Sequence, residues 1–474
     1  MRAIKRRDLL ASSVLAAGMT IIPSGPVYGQ RKKSAATSYA ANERLNIAGI
    51  GVAGQGGSHV GPSLRENLVA ICDASQGALD GCRGRAEAFY KERNVSRPLP
   101  TAFTDYREMF DKMSGQIDAV FVATPDNHHA PASMMAITRK KHVYCEKPLT
   151  HDIYEARQLA LAARENRVAT QMGNQGRAGE GWRLLCEVLW TGVIGQVKEA
   201  HVWTDRPGIP THPWWPQGGP RPAGSEPVPK SLNWDAWLGP APERPFLGDY
   251  KEGKFKGQHV YQPFVWRGWW DFGTGALGDI GCHAMSGTFT ALKIEHAAAV
   301  ELVKDSGDTT AEMFPSASIV RWDIPARGDM APCKIFWYDG GLYPPREVVE
   351  LPAGREFPDN GTIIVGEKGK IDLGGSGPRL MPDDLRKGFK RPAQLFPRCR
   401  TDHFTEWLAA CRGGQSFSSF DHAGPLTEMV LLGNLAVRAG VGNRVEWDGP
   451  NMTCTNRPEL NRLVKREYRK GWTL

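Results

Sequence analysis

The sequence predicts an α/β fold in two parts. The N-terminal part reads as a doubly wound parallel sheet. The C-terminal part reads as an α/β domain on a large open, mostly antiparallel sheet. Three observations carry this expectation. Over residues 44–172, short apolar runs alternate with helical patterns, as parallel strands covered on both faces require. A glycine-rich turn joins the first of those runs to the first helical stretch. Beyond residue 283, strand-like runs follow at Ala298–Val303, Ala317–Asp323, Lys334–Tyr338, Thr362–Gly366 and Gly369–Leu373.

The chain begins with Lys5-Arg6-Arg7-Asp8-Leu9-Leu10, then an apolar, small-residue run from Ala11 to Ile22 and a small-residue exit at Val27-Tyr28-Gly29. This is the layout of a signal peptide over residues 1–29, and the paired arginines give it the twin-arginine form. It implies export to the periplasm by the Tat machinery, a route that carries folded proteins with a cofactor already inside. Residues 30–43 read as a tether. Residues 1–33 hold seven basic side chains against one acid, so they carry +6 of the formal +8. The rest is nearly neutral, and the basic balance gives no support to nucleic-acid binding. After position 30 no apolar stretch reaches the length of a membrane span. Hydrophobic residues at 41% and charged residues at 23% exclude wholesale disorder. The nine cysteines are scattered, odd in number and without a C-x-x-C pair, so neither a zinc ribbon nor a disulfide framework is expected.

Leu45–Ile50 leads into Gly49-Ile50-Gly51-Val52-Ala53-Gly54, a G-x-G-x-x-G, with Gln55 behind it. A helix can start near residue 58. A second apolar run, Leu68–Cys72, ends at Asp73, 19 positions after Gly54. Strand, glycines, helix and acid at this spacing form the dinucleotide fingerprint of a Rossmann domain. The glycines permit the turn and a close backbone approach to a pyrophosphate, which the helix N-terminus attracts. Asp73 can accept hydrogen bonds from ribose hydroxyls and would repel a 2′-phosphate, which favours NAD over NADP. The next runs end at Thr124-Pro125, at Glu146-Lys147-Pro148 and before Gln175. These are the carboxyl ends of strands, where such folds bind ligands. Ile153–Asn166 reads as a helix between two of them. Domain limits follow at 44–172 and 173–442, with a polar surface tail at 443–474.

At Glu146-Lys147-Pro148 the chain resembles the Gfo/Idh/MocA oxidoreductases, the family of glucose-fructose oxidoreductase and inositol 2-dehydrogenase. The matching pieces are the glycine motif, A-T-P-D-N-H-H-A at 123–130, K-H-V-Y-C-E-K-P at 141–148 and G-A-L-G-D-I-G-C-H at 275–283. The resemblance runs from about residue 44 to the C-terminus and is nearest to exported, tryptophan-rich members. It implies an NAD-binding domain, an open-sheet domain whose bare face closes the site or joins subunits of a homo-oligomer, and catalytic roles for Lys147, Asp279 and His283. It places His129, Glu146 and Lys147 at the cofactor. A second acid that the family often carries is replaced here by Ser286, which bears on substrate orientation.

Oxidising a secondary alcohol needs a hydride acceptor, a proton acceptor and a group that holds the oxygen. The cofactor supplies the first. His283 suits the second, and Lys147 the third. Asp279 lies four residues before His283 and shares its helix face over 278–290, so it is expected to orient or charge-stabilise the imidazole. His128 and His129 do not suit a metal, since adjacent residues point apart, and no metal is expected. Cys282 reads as a small buried filler. Eight of the 15 tryptophans fall between 203 and 270, among prolines and glycines. This reads as an ordered insertion. Arg267, Trp269 and Trp270 are expected to line a carbohydrate site, and Trp214 and Trp215 an interface or lid. Asp402–Cys411 and Leu426–Arg438 read as helices.

Three functions fit. The first is an NAD-dependent oxidoreductase with a tightly held cofactor, acting on a sugar, polyol or glycoside. The second is a glycosidase or lyase that oxidises a ring hydroxyl transiently, eliminates the glycosidic bond and returns the hydride. The Tyr-x-x-His-Gly type of segment associated with one such group is absent from the sequence. The third is a non-catalytic cofactor-binding or sugar-sensing protein, which the presence of Glu146, Lys147, Asp279 and His283 disfavours.

Overall fold

A computed structural model describes residues 43–209, 212–374, 377–399 and 401–474. The signal and nearly all of the tether expected at 1–43 lie outside the described residues. Leu45–Leu474 forms one compact unit.

Six strands make the first sheet: β1 Asn46–Ile50, β2 Asn67–Cys72, β3 Thr101–Phe103, β4 Ala119–Val122, β5 His142–Glu146 and β6 Thr170–Gly173. Their order is β3-β2-β1-β4-β5-β6, all parallel. β1 and β4 are buried along nearly their whole length, because helices cover both faces. The chain order reverses between β1 and β4, and such a switch point opens a crevice at the carboxyl ends of the strands. Helix Ile153–Asn166 follows the sequence reading to the residue. Its start is fixed by a capping box, in which Glu155 N–H donates to Asp152 and the Glu155 carboxylate accepts from Asp152 N–H.

The second sheet has nine strands: β7 Val197–Thr204, then β10 Ala299–Asp305, β11 Ser318–Ile324, β12 Cys333–Tyr338, β13 Asn360–Gly366, β14 Lys370–Asp372, β15 Arg379–Met381, β16 Val445–Asp448 and β17 Thr453–Cys454; β8 Gly208–Ile209 and β9 His212–Pro213 form a separate small ribbon. The order is β15-β14-β13-β7-β12-β11-β10-β16-β17, with β7 and β12 the single parallel pair. The sheet is mostly antiparallel, as expected. β7 lies in its middle, and the sequence reading did not pick it out. Its inner face presents Ala200, Val202, Val320, Trp322, Ile335, Trp337 and Ile364 to one continuous core shared with the helices of the first domain. Helix Phe420–Ala439 lies in that core. It comes so close to the sheet that a Cβ at Gly433 would stand 2.4 Å from Leu277 and 2.5 Å from the Trp322 ring.

The tail differs from the reading. Residues 443–474 are not a surface wrap. β16 and β17 extend the sheet, and Leu460, Val464 and Trp472 are buried in the main core. The polar composition misleads because the arginines of this stretch are used in pairs. Arg466 bonds Glu155 and the Asn127 carbonyl, while Arg469 bonds Asp235 and the Gly239 carbonyl. The tryptophan-rich segment builds a small core of its own from Trp237, Tyr261, Trp269 and Phe272.

Candidate active site

The first two glycines are set by steric demand. Gly49 lies under the Phe121 ring, where a Cβ would come within 2.3 Å. Gly51 has φ +78°, and its Cβ would meet the Ala123 carbonyl oxygen at 2.5 Å. Gly54 differs. It has φ +49°, but the space a Cβ would enter is open. Its freedom is spent on the side of the crevice, where a ligand's backbone approach needs it.

This crevice is a cleft of about 590 Å³ lined by Gly51, Gly54, Gln55, Asp73, Thr124, Pro125, His129, Glu146 and Lys147. The volume suits a dinucleotide-sized ligand. Asp73 closes one end. Its Oδ2 accepts from Val52 N–H at 3.0 Å and its Oδ1 from Ser75 N–H at 3.0 Å, so the carboxylate both pins the glycine loop and faces the cleft. Burial pushes its acidity down, against the pull of those N–H groups. Among the described residues, Lys147 and Arg267 are the lysine and arginine lining the cleft, so no lysine or arginine among them lines its Asp73 end. Thr124 Oγ1 is buried without a partner, an atom that a bound ligand would satisfy. These features fit NAD.

Glu146 is buried at the base. It accepts from His59 Nε2 at 2.7 Å, from Gln175 Nε2 at 3.2 Å and from Gln55 Nε2 at 3.3 Å. Burial opposes its charge, but the His59 hydrogen bond and the nearby Lys147 and His283 outweigh that and hold the carboxyl below its ordinary range. A Cβ at Gly173 would collide with this carboxylate at 2.4 Å. Gly49 and Gln175 therefore do not line the cleft. They support it, one under a ring and the other holding Glu146.

The second domain brings up helix Gly275–Ala284. Lys147 Nζ donates to Asp279 Oδ1 at 2.6 Å, and Arg267 Nε donates to the same oxygen at 2.8 Å. Both cations hold Asp279 ionised far below the usual carboxylate range despite burial. No hydrogen bond joins Asp279 to His283. Asp279 therefore acts on the imidazole by its charge, which favours the protonated ring, and not by an orienting hydrogen bond. The carboxylate turns toward the two cations because two charge-assisted bonds outweigh one to a neutral ring. His283 stands one helical turn on. Burial and the Lys147 charge press its pKa down to about 4, so at neutral pH the ring is an uncharged proton acceptor. It lines a separate pocket of about 430 Å³ with Asn174, Trp182, Ser286, Asn360 and Thr362. Lys147 thus lines the larger cleft and His283 the smaller pocket, with Asp279 bonded to Lys147 and one helical turn before His283.

The tryptophan expectation needs correction. Trp269 is fully buried, with Nε1 donating to the Val260 carbonyl, and is an interior residue. Trp270 packs on Phe314 and lines a different cavity. Bulky rings in a segment with its own core are used first to fill that core. Trp215 is buried as well. The segment offers the cleft Phe264, Trp266 and Arg267 instead. The Arg267 guanidinium lies 4.1 Å from the Phe264 ring centre and 4.3 Å from that of Trp266. Phe264 has φ +71° and 45% exposure. A non-glycine residue in that conformation marks local strain, and a strained, exposed ring beside Lys147 was not legible from composition. His59 was equally hidden, since only the fold places it on Glu146.

His128 and His129 diverge, as neighbours do. His128 Nε2 bonds the Trp237 carbonyl, while His129 lies between the Pro148 and Thr124 carbonyls. Cys282 is buried, its thiol pushed up to about 12 by burial.

Residues 45–174 match the model of an oxidoreductase family with an NAD-binding Rossmann fold, GFO_IDH_MocA, and residues 213–314 match that of its C-terminal α/β domain. The second match takes in most of the tryptophan-rich segment, which is therefore part of a described domain rather than an addition. The chain is 29% identical over 160 residues to a glycosyl hydrolase family 109 protein of Shewanella, covering 32% of this chain and 33% of that one. It is 30% identical over 160 residues to the trans-1,2-dihydrobenzene-1,2-diol dehydrogenase of Mus musculus, covering 33% and 44%. It spans about a third of the length of the glycosyl hydrolase relatives it matches. Among solved structures it is similar to the WlbA dehydrogenase of Bordetella pertussis, in complex with NADH and UDP-GlcNAcA, at a TM-score of 0.55 and 16% identity over 86% of this chain and 99% of that one.

Proposed function

Since the chain belongs to the Gfo/Idh/MocA oxidoreductase family, we propose that it moves a hydride between a bound NAD and a secondary hydroxyl of a sugar, polyol or glycoside. One observation carries the reading. Lys147 lines the dinucleotide-sized cleft and is fixed at 2.6 Å on Asp279, and the helix that carries Asp279 also carries His283, whose ring feels the Lys147 charge and lines a second pocket.

The dinucleotide, when bound, supplies the hydride acceptor. The chain does the rest. Gly54 lets the pyrophosphate approach the helix N-terminus, and Asp73 accepts from the ribose hydroxyls. Lys147 donates a hydrogen bond to the substrate oxygen. His283 takes the hydroxyl proton on its unprotonated ring nitrogen and returns it in the reverse direction. Asp279 and Arg267 keep the ammonium in place. Phe264 and Trp266 offer apolar faces for the C–H face of a pyranose.

The test is to incubate pure protein with sugars, polyols and glycosides, following nicotinamide absorbance and product mass together. An oxidised product two mass units lighter, lost in Lys147→Ala and His283→Ala with dinucleotide still bound, is expected. Full turnover in His283→Ala would overturn the assignment.

A redox-neutral variant uses the same residues: oxidation acidifies the neighbouring C–H, the glycosidic bond is eliminated and the hydride returns. The glycosyl hydrolase relatives support it over about a third of the chain. Glycoside cleavage without accumulated NADH would select it. We also propose export by the Arg6-Arg7 leader to the periplasm, which Arg6→Lys/Arg7→Lys should block in a fractionation assay. Self-association through the outer face of the nine-stranded sheet is a further proposal; a monomer by light scattering would contradict it.

A further inference from the structure

Behind helix Gly275–Ala284 lies a second cavity, of about 250 Å³, that the hydride chemistry does not use. Its lining includes His151, Trp270, Thr274, Asn434, Arg438 and Arg462. Polar groups converge there. Asn434 Oδ1 is buried with no hydrogen-bond partner, and the buried His151 ring, whose nitrogens bond no side chain, is set against the Trp270 and Gly273 backbone. A buried acceptor left in the state of Asn434 Oδ1 needs a partner, and a ligand is one. Arg438 lies over the Trp270 ring at 4.7 Å and feels the charge of Arg462 beside it. Among the described residues neither arginine is hydrogen-bonded or ion-paired to an acid. The other lining charges are largely spoken for. Arg466 is held by Glu155 and Asp152, and Asp271 by Arg244; Glu467 is the one lining acid without a basic partner. Two like charges held side by side at the rim of a pocket attract an anion.

We propose that this cavity is a second binding site, for a small polyhydroxylated carboxylate. Arg438 and Arg462 take the carboxylate in their forks. Asn434 Oδ1 accepts a ligand hydroxyl, and His151 pairs with another. The site reaches the reaction centre through one residue. Asn434 Nδ2 donates to the Thr274 carbonyl at 2.9 Å, and Thr274 Oγ1 donates to Asp126 Oδ2 at 2.6 Å at the start of the helix that carries Asp279 and His283.

Calorimetric titration of the NADH-loaded protein with gluconate tests this, with sorbitol for hydroxyls alone and acetate for charge alone. Gluconate should bind more tightly than either. Its affinity should fall at least about tenfold, a loss of 1.4 kcal/mol, in Arg438→Ala/Arg462→Ala and in the single Arg462→Glu, and should persist in Lys147→Ala. Absence of gluconate binding to the parent protein would overturn the proposal. So would binding unchanged in both arginine variants, or binding lost only in Lys147→Ala, which would place the ligand in the main site.

Discussion

At the scale of single residues, charge and strain are used for different ends. Asp279 accepts hydrogen bonds from Lys147 and Arg267, and His283 is pressed down by burial and by the neighbouring ammonium against the pull of the Asp279 charge. A pKa pressed to about 4 has a direct consequence. The base form is the active one, so activity should persist as pH falls through 6 and fade only near pH 4. A pH–rate profile of kcat checks this; an acid limb near the ordinary histidine value of about 6.5 would contradict it. The sign for stability agrees. The unfolded ring gains its proton at higher pH than the folded one, so the fold loses stability as pH drops below about 6.5 toward 4. Removing the carboxylate should be costly. Asp279→Ala leaves two partly buried cations without their carboxylate, and a loss of about 1–3 kcal/mol is expected in chemical denaturation. Phe264 shows strain held at a site. Phe264→Gly relieves a backbone conformation worth about 1–3 kcal/mol, so thermal stability should hold or rise while KM for the sugar rises several-fold and dinucleotide affinity stays. A lowered melting temperature with unchanged KM would make Phe264 merely structural.

At the scale of elements, the first domain was legible because each signal is local. The glycine turn lies within a few residues of the runs it joins, and helix Ile153–Asn166 emerged with its true ends from its own apolar pattern. The second domain was legible in class but not in layout. β7 looks unremarkable, reading Val-Lys-Glu-Ala-His-Val-Trp-Thr, and becomes central only by pairing with β12 and β13 far along the chain. Trp269 and Trp270 were misjudged for the same reason: sequence distance to Asp279 says nothing about which way a ring turns. The segment they belong to clasps the first domain. Asn233 N–H donates to the Ala74 carbonyl at 2.8 Å, Gln76 N–H donates to the Ser231 carbonyl at 2.8 Å, and Asn233 Nδ2 donates to Thr104 Oγ1 at 3.2 Å. These contacts flank Asp73, and Ala236, Trp237 and Trp472 line the same cleft. Asn233→Ala removes the Thr104 bond and the cap on the helix at Trp234–Leu238, a change of about 1 kcal/mol. NADH dissociation, followed by stopped-flow fluorescence, should quicken with little change in the nicotinamide environment. An unchanged off-rate would show that the clasp does not retain the cofactor.

At the scale of the molecule, two sheets share one core, and the proposed reaction centre draws on both domains. Lys147 comes from the end of β5, while Asp279 and His283 come from a helix of the second domain. This convergence was implied by the family resemblance and not by spacing, because more than a hundred residues separate the partners. On the proposed function, the cleft of about 590 Å³ lined by Lys147 would take the dinucleotide and the pocket of about 430 Å³ lined by His283 the sugar. The Asp73 end of the larger one presents an acid with no lysine or arginine among its described lining residues. NADH should therefore bind more tightly than NADPH, and Asp73→Ala should narrow the gap; equal affinities in the parent protein would count against the assignment. The most direct test follows an atom rather than a rate. The NAD-loaded protein is given sugars and glycosides carrying deuterium on their hydroxyl-bearing carbons, then denatured, and the released nicotinamide is weighed. When the protein is quenched within a single turnover, before the redox-neutral route returns its deuterium to carbon, both chemistries predict deuterium on the nicotinamide ring, lost in Lys147→Ala and His283→Ala while the amount of dinucleotide per chain is unchanged. Dinucleotide that is bound but never labelled by any of them, or labelling undiminished in both variants, would contradict the account.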